Sequence, residues 1–370
     1  MSTQMIGSRI RALREERGLS QDALAEIFGF KDRQTVSAIE TGERRVSAEE
    51  LILAVEKLGA SLDYFTDPFL LAGEGRFSWR QTGVGEARLS AYERMAGRWI
   101  AAFRAIAPQV GRATPLLRGS LGLTRRSTFE EAMAAGERFT AEFNLGDRPA
   151  SRLAEVMQRE LGILVLHVDA FTGVSGAACR LPELDVVLIN RREVEGRRHF
   201  DLAHELFHIL TWDAMPPEHV EAATEAGGNR VEQLANSFAS ALLMPMDTLE
   251  GQRDISSIVD QRILAATLNE GAEALGVTAS AFRWRLAAVG YLTQKDARAI
   301  PDAALRNNGR RGVAEGDPPP LFSRPFMEVL GLALDQGTVS VRRAAGLLDV
   351  TVEDLADLFT AHGVTPPFEP

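Results

Sequence analysis

The chain is poor in cysteine, in long apolar runs and in net positive charge, and each shortage excludes something. One cysteine among 370 residues leaves no internal disulfide framework and fits a reducing compartment. No stretch approaches the roughly 20 apolar residues that cross a bilayer. The opening residues, MSTQMIGSRIRALREERG, carry no apolar signal segment. The expectation is a cytoplasmic chain with no membrane partner. Lys and Arg number 41 against 51 Asp and Glu, a net charge of −10, so any DNA contact has to be confined to a patch. Internal repeats and low-complexity tracts are missing as well. The length suffices for two or three domains, each with its own core.

What is present is led by His204-Glu205-Leu206-Phe207-His208. Residues four apart share one helix face, so His204 and His208 can direct imidazole nitrogens at one cation. Glu205 can reach a water at that cation and serve as general base. Phe200, Ala203, Phe207 and Leu210 give the period of a helix with one face in a core. Catalytic zinc takes three protein ligands and one open position. A second helical stretch, Arg230 to Leu243 (RVEQLANSFASALL), places Glu232 beside an apolar stripe of Val231, Leu234, Phe238, Ala241 and Leu242. It stops at Met244-Pro245, where proline cannot continue the helix.

The segments RRHFDLAHELFHIL and VEQLANSFASALLMP resemble the ImmA/IrrE family of metallopeptidases over about residues 150 to 295. In that family the first helix carries HExxH and a downstream E-x-x-A-N-x-F-A…L-L-M-P helix supplies the third ligand. The resemblance implies Zn2+ held by His204, His208 and Glu232, with Glu205 catalytic; Ala235, Asn236, Phe238 and Ala239 keep the second pattern. Manganese can replace zinc at such a donor set. The resemblance also leaves open a peptidase fold kept as a sensor or scaffold.

Before the catalytic helix, Ile163 to Val168, Val174 to Cys179 and Val186 to Ile189 read as strands of a small sheet, an edge of which could take an extended peptide. His167 and Cys179 each stand alone in a strand pattern and read as packing residues. His199 and His219 flank the site, His219 as a solvent-facing loop residue. Arg191, Arg192, Arg197 and Arg198 form a basic run that reads as a solvated face, the alternative being a contact to acidic substrate or nucleic acid.

The N-terminal residues 6 to 66 carry a second pattern. Ile6 to Arg14 is amphipathic and closed by Gly18; Ser20 caps a helix from Gln21 to Phe28 ended by Gly29; Asp32 caps the next, before Gly42. Two short helices joined by a glycine turn match helix-turn-helix geometry, with Arg33, Gln34, Thr35 and Ser37 placed to reach base edges. The string RIRALREERGLSQDALAEIFGF…QTVSAIETGERRVSAEELILAVEKLGASLDYF resembles the Xre/Cro–repressor family. That implies operator DNA as partner, Gln21 on the phosphate backbone, and Gln34, Thr35 and Ser37 toward the bases. The loop Phe28 to Arg33 is longer than the commonest form. Residues 1 to 45 hold eight Arg plus Lys against seven Asp plus Glu, a net of +1. DNA contact then relies on local cations such as Arg9, Lys31, Arg33, Arg44 and Arg45.

The expected fold class is mainly α with a small β-sheet (α+β): a five-helix DNA-binding domain, a zincin-like domain and a helical C-terminal tail. The expected divisions are 1–68, a helical connector 69–149 with helices at Tyr92 to Ile106 and Phe129 to Phe143, the peptidase-like domain 150–300, a Gly/Pro-rich linker 301–320 and a helical unit 321–370. Arg283 and Arg285 read as residues that could face a partner. With both resemblances, the expectation is a transcriptional regulator with a zinc endopeptidase, acting in stress, phage or toxin–antitoxin regulation. It would act as a homodimer and cleave a repressor or itself. The alternative is a non-catalytic antitoxin or sensor that binds a cognate toxin.

Overall fold

The computed structural model describes residues 3–113, 116–222, 229–306 and 318–369. Its first five helices are α1 (Thr3–Glu16), α2 (Gln21–Phe28), α3 (Arg33–Glu40), α4 (Ala48–Leu58) and α5 (Leu62–Thr66). Their boundaries follow local chemistry. Ser20, Asp32 and Ser47 each accept a backbone N–H of the turn they precede, and Ser47 with Glu50 closes a capping box. Gly29, at φ +69, ends α2 in the left-handed conformation that costs a side-chain-bearing residue most. α1 and α3 meet where Gly7 has no side chain: a Cβ there would lie 2.0 Å from the Ile39 carbonyl oxygen. Ile10, Leu13, Leu24, Phe28, Val36, Ile39, Leu58 and Phe65 form the core of this unit.

Strand β1 (Arg76–Gln81) follows, then α6 (Glu86–Ile106), α7 (Phe129–Glu142) and α8 (Pro149–Arg159). Next come β2 (Leu164–Val168), β3 (Val174–Arg180), β4 (Asp185–Asn190), α9 (Glu195–Thr211), β5 (Val220–Ala222) and α10 (Arg230–Leu243). The chain continues through α11 (Met246–Leu249), α12 (Gln261–Leu275), α13 (Ala279–Ala288) and α14 (Gln294–Ala299). It closes with α15 (Arg324–Asp335), α16 (Val341–Leu348) and α17 (Val352–Ala361). The fold is mainly helical with a small mixed sheet, of order β2-β4-β3-β1-β5. β1 runs antiparallel to β3 and β3 to β4, whereas β2–β4 and β1–β5 are parallel.

The three runs expected to be strands are β2, β3 and β4; β1 and β5 are additions. Period-two alternation sends the two faces of the sheet into different cores. Val165, Ala178, Val187 and Ile189 pack with residues of α8, α9 and α10. Phe77, Trp79, Leu164, Leu166, Val186 and Leu188 pack on the opposite face with α6 and α15–α17. Residues of the 69–149 connector therefore build one strand and one covering layer of the sheet, and the C-terminal helices share that layer. A bridge from His167 to Phe322 fastens the tail to the outer strand β2.

Candidate metal centre and DNA-binding helix

α9 lies against β3 and β4 and presents Asp201, His204, Glu205 and His208 inward, all at most 1 % exposed. α10 crosses beside it and brings Glu232, 4 % exposed, from its first turn. Asn229 caps that helix by accepting the N–H groups of Val231 and Glu232, which fixes where the glutamate starts. His204 Nε2 lies 3.2 Å from Glu232 Oε2, and His208 Nε2 lies 3.2 Å from Glu232 Oε1. The two imidazole Nε2 atoms are 3.1 Å apart. One donor atom from each residue falls within 4.8 Å of the others, the one such His/Cys/Asp/Glu group among the described residues.

The donor set fits a divalent cation. Two ligands bound at about 2.0–2.1 Å around a tetrahedral zinc stand roughly 3.3–3.4 Å apart, close to the separations here. Burial, then the Arg80 charge, lowers the His204 imidazole to about 3, against the pull of Glu232. It is therefore neutral and competent as a ligand. His204 Nδ1 and Asn236 Oδ1 are 3.0 Å apart; with the proton on Nδ1 donated to that oxygen, the Nε2 lone pair points at the shared centre. Burial raises the Glu205 carboxyl well above its ordinary range, with the Arg80 charge the strongest influence opposing it. Glu205 Oε1 is buried without a hydrogen-bond partner, so an acceptor stands ready beside the donor set.

Sequence reasoning missed two contributors. In the sequence Asn236 stands only as part of a helix pattern, and its i+4 spacing from Glu232 is the signal that it shares that residue's face. Arg80 lies on β1, within a segment read as helical connector. Its Nη1 lies 3.2 Å from Asp201 Oδ1. Phe77 and Trp79 alternate with it, and that short alternation was its one sign.

Other candidates sit elsewhere. His167 and Cys179 are in the sheet; Cys179 is fully buried, its thiol raised by that burial. His219 is exposed and pairs with Glu93 at 2.7 Å. His199 Nδ1 is 2.7 Å from the Gly276 carbonyl. The basic run is paired: Arg191 and Arg192 both reach Asp169, and Arg197 reaches Glu193. Arg283 and Arg285 do not face a partner. Both are buried, Arg285 bonding the Met244 carbonyl and Glu137, and Arg283 the Ile300 carbonyl and Asp302.

In the N-terminal unit, Arg33 and Gln34 are exposed at the start of α3, with Thr35 and Ser37 half-buried behind them. Asp32 accepts the Thr35 N–H, which orients the first turn. Gln21 donates its amide to Glu40 at 2.9 Å, and Glu40 in turn holds Arg14. Arg44 is engaged by both oxygens of Glu50, at 3.0 and 2.7 Å, so its charge is partly spent. Arg9 is no DNA contact: fully buried, it bonds Glu74 and the carbonyls of Tyr64 and Leu70. Lys31, Arg33 and Arg45 are the exposed cations of the expected set.

The two ends define two classes of module, and the comparisons agree. Residues 10–65 match the helix-turn-helix family model and residues 158–286 that of the IrrE N-terminal-like domain, a peptidase family. The chain thus joins an Xre-like helix-turn-helix domain, of the DNA-binding kind, to an IrrE-type peptidase-family domain. A curated relative, the HTH-type transcriptional regulator PrpR of Mycobacterium tuberculosis (strain ATCC 25618 / H37Rv), is 28% identical over 280 residues, covering 65% of this chain. The chain spans 56% of that relative's length. A solved structure, the apo form of the competence regulator ComR from Streptococcus vestibularis, aligns with 82% of this chain and 91% of its own, at 12% identity and a TM-score of 0.17. No described helix is long and apolar enough to cross a membrane.

Proposed function

We propose that the protein is a transcriptional regulator that binds operator DNA as a homodimer through Arg33, Gln34, Thr35 and Ser37, and carries a zinc endopeptidase that cleaves a repressor or the chain itself. The observation that carries the peptidase reading is the convergence of His204, His208 and Glu232 with the Glu205 carboxyl beside them. His204, His208 and Glu232 would hold the ion, which when bound supplies Lewis acidity to water and to a peptide carbonyl. Asn236 keeps His204 in the ligand tautomer. Glu205 takes a proton from the attacking water and returns it to the leaving amine. The apolar shell of Leu206, Phe207 and Phe238 excludes bulk solvent and strengthens each charge interaction inside.

Elemental analysis of protein purified without added metal tests the centre. About one zinc per chain is expected in the natural protein and none in His204→Ala; no metal in either removes the reading. Glu205→Gln should retain zinc and DNA binding yet lose at least a hundredfold in cleavage of a helix-turn-helix repressor. Cleavage at the natural rate by that variant would end the peptidase assignment.

A second reading is a non-catalytic sensor or antitoxin that binds a toxin on the same scaffold. The near-complete burial of all four site residues favours it, because a scissile bond has to reach them. Full zinc occupancy with no cleavage by either protein would be its signature.

A further inference from the structure

We propose that Arg80, contributed by strand β1 outside both family-matched segments, is a positioning residue that holds the Glu205 carboxylate of the metal centre. The inference rests on the peptidase-like reading of that centre only for its catalytic consequence; the contact itself is argued from the sheet register. Arg80 pairs with Gly176 across the β1–β3 ladder, so their side-chain directions share one face. That face is the one α9 covers, since Phe77 and Trp79 point to the other. Gly176 leaves the room: a Cβ on it would lie 3.8 Å from Glu205 Cγ. The Glu205 stem therefore runs over the glycine, next to the side chain that the neighbouring strand sends into the same space.

The register shifts between Arg80 and Gln81, a bulge of the sort that re-aims a side chain at a site. The guanidinium meets Asp201 at 3.2 Å. Asp201 and Glu205 are four residues apart on α9, so both carboxylates line the helix face over β3 and β1. Arg80 Nε and Glu205 Oε1 are buried without a hydrogen-bond partner, while Arg80 Nη1 and Asp201 Oδ2, also without a hydrogen bond, stand in ion pairs with Asp201 Oδ1 at 3.2 Å and with Arg197 Nε at 3.8 Å. Donors and acceptors left over in one buried space complete each other through a small rotation or one water. Arg80 thus offers its donors to two carboxyl groups on one helix face, and it fixes the position of the one beside the candidate ligands.

A double-mutant cycle tests this on the full chain, with Arg80→Met, Glu205→Gln and the pair, read by urea midpoint and by zinc content. The loss of midpoint caused by Arg80→Met should at least halve when residue 205 is already glutamine, because the contact that the arginine makes with the carboxyl group is then already gone. Zinc should stay near one per chain throughout. Arg80→Lys should recover most of the midpoint and part of the rate. In cleavage assays Arg80→Met should lower kcat about a hundredfold with KM within threefold. An equal midpoint loss in both backgrounds would overturn the proposal and leave Arg80 serving Asp201 alone. Absence of cleavage by the natural protein would sink the peptidase reading while the stability coupling still decides the contact.

Discussion

At the candidate metal centre the Asn236 side chain lies 3.0 Å from His204 Nδ1, the contact that would separate a ligand from a mere buried histidine. Asn236→Leu keeps the volume and removes the acceptor. Zinc affinity, measured by competition with a chromophoric chelator, should fall about 10–100-fold, the range for lost outer-shell partners. Unchanged affinity would mean that the Nδ1 proton does not select the ligand tautomer. The candidate ligand set was legible in the sequence because His204 and His208 are one helical turn apart and Glu232 opens a recognisable second helix. Arg80 was not legible: it meets Asp201 across a distant part of the chain, through a ladder no local pattern announces. Burial of Arg9, Arg283 and Arg285 escaped for the same reason, since an arginine that bonds carbonyls inside a core looks like any surface arginine in sequence.

Among the elements, α7 and α10 pack closely along their length. Gly136 on α7 has no Cβ, and one built there would lie 2.5 Å from the Phe238 carbonyl oxygen and 2.8 Å from the Leu242 nitrogen. Thr140, one turn on, donates its hydroxyl to the Leu242 carbonyl at 2.8 Å. Gly136→Ala should therefore force the helices apart and cost about 1–3 kcal/mol or more in chemical denaturation. Because α10 carries Glu232, zinc affinity should fall with it. A variant as stable as the natural protein would show that the helices slide freely. The expected helix at 129–143 corresponds to α7, and the expected 92–106 is the later part of α6. Amphipathic period and caps carried those. β1 lies between glycine breaks and, as RFSWRQ, lacks the aliphatic run that marks β2 and β4, while β5 spans only three residues; pairing with β3 and with each other makes them strands.

Across the whole molecule, the C-terminal tail is joined to the sheet by His167 and Phe322, which exchange backbone hydrogen bonds of 3.1 and 2.6 Å. Burial, then the Arg198 charge, lowers the His167 imidazole from 6.5 to about 4. The unfolded chain therefore binds the proton more readily than the fold does between those values. This contribution to stability is complete above pH 6.5 and declines as the pH falls toward 4, by on the order of 3 kcal/mol in all. His167→Gln should flatten that part of the stability–pH curve; parallel curves for the two proteins would refute the assignment.

The N-terminal unit is joined as firmly. Buried Arg9 bonds Glu74 at 2.9 Å, Arg104 reaches the same carboxylate at 3.4 Å, and Gly73 admits α1 so closely that a Cβ would stand 2.2 Å from that of Ala12. Six residues beyond Glu74, along the same extended segment, comes Arg80. The peptidase-family domain consequently borrows a strand from the segment that follows the helix-turn-helix unit. Excision at residues 158–286 would strip β3 of its neighbour, bare a row of unpaired amides and leave Asp201 with no cation from β1. Either unit is recognisable alone in sequence, but a cut at the bounds of the peptidase-family match divides the sheet that both sides build.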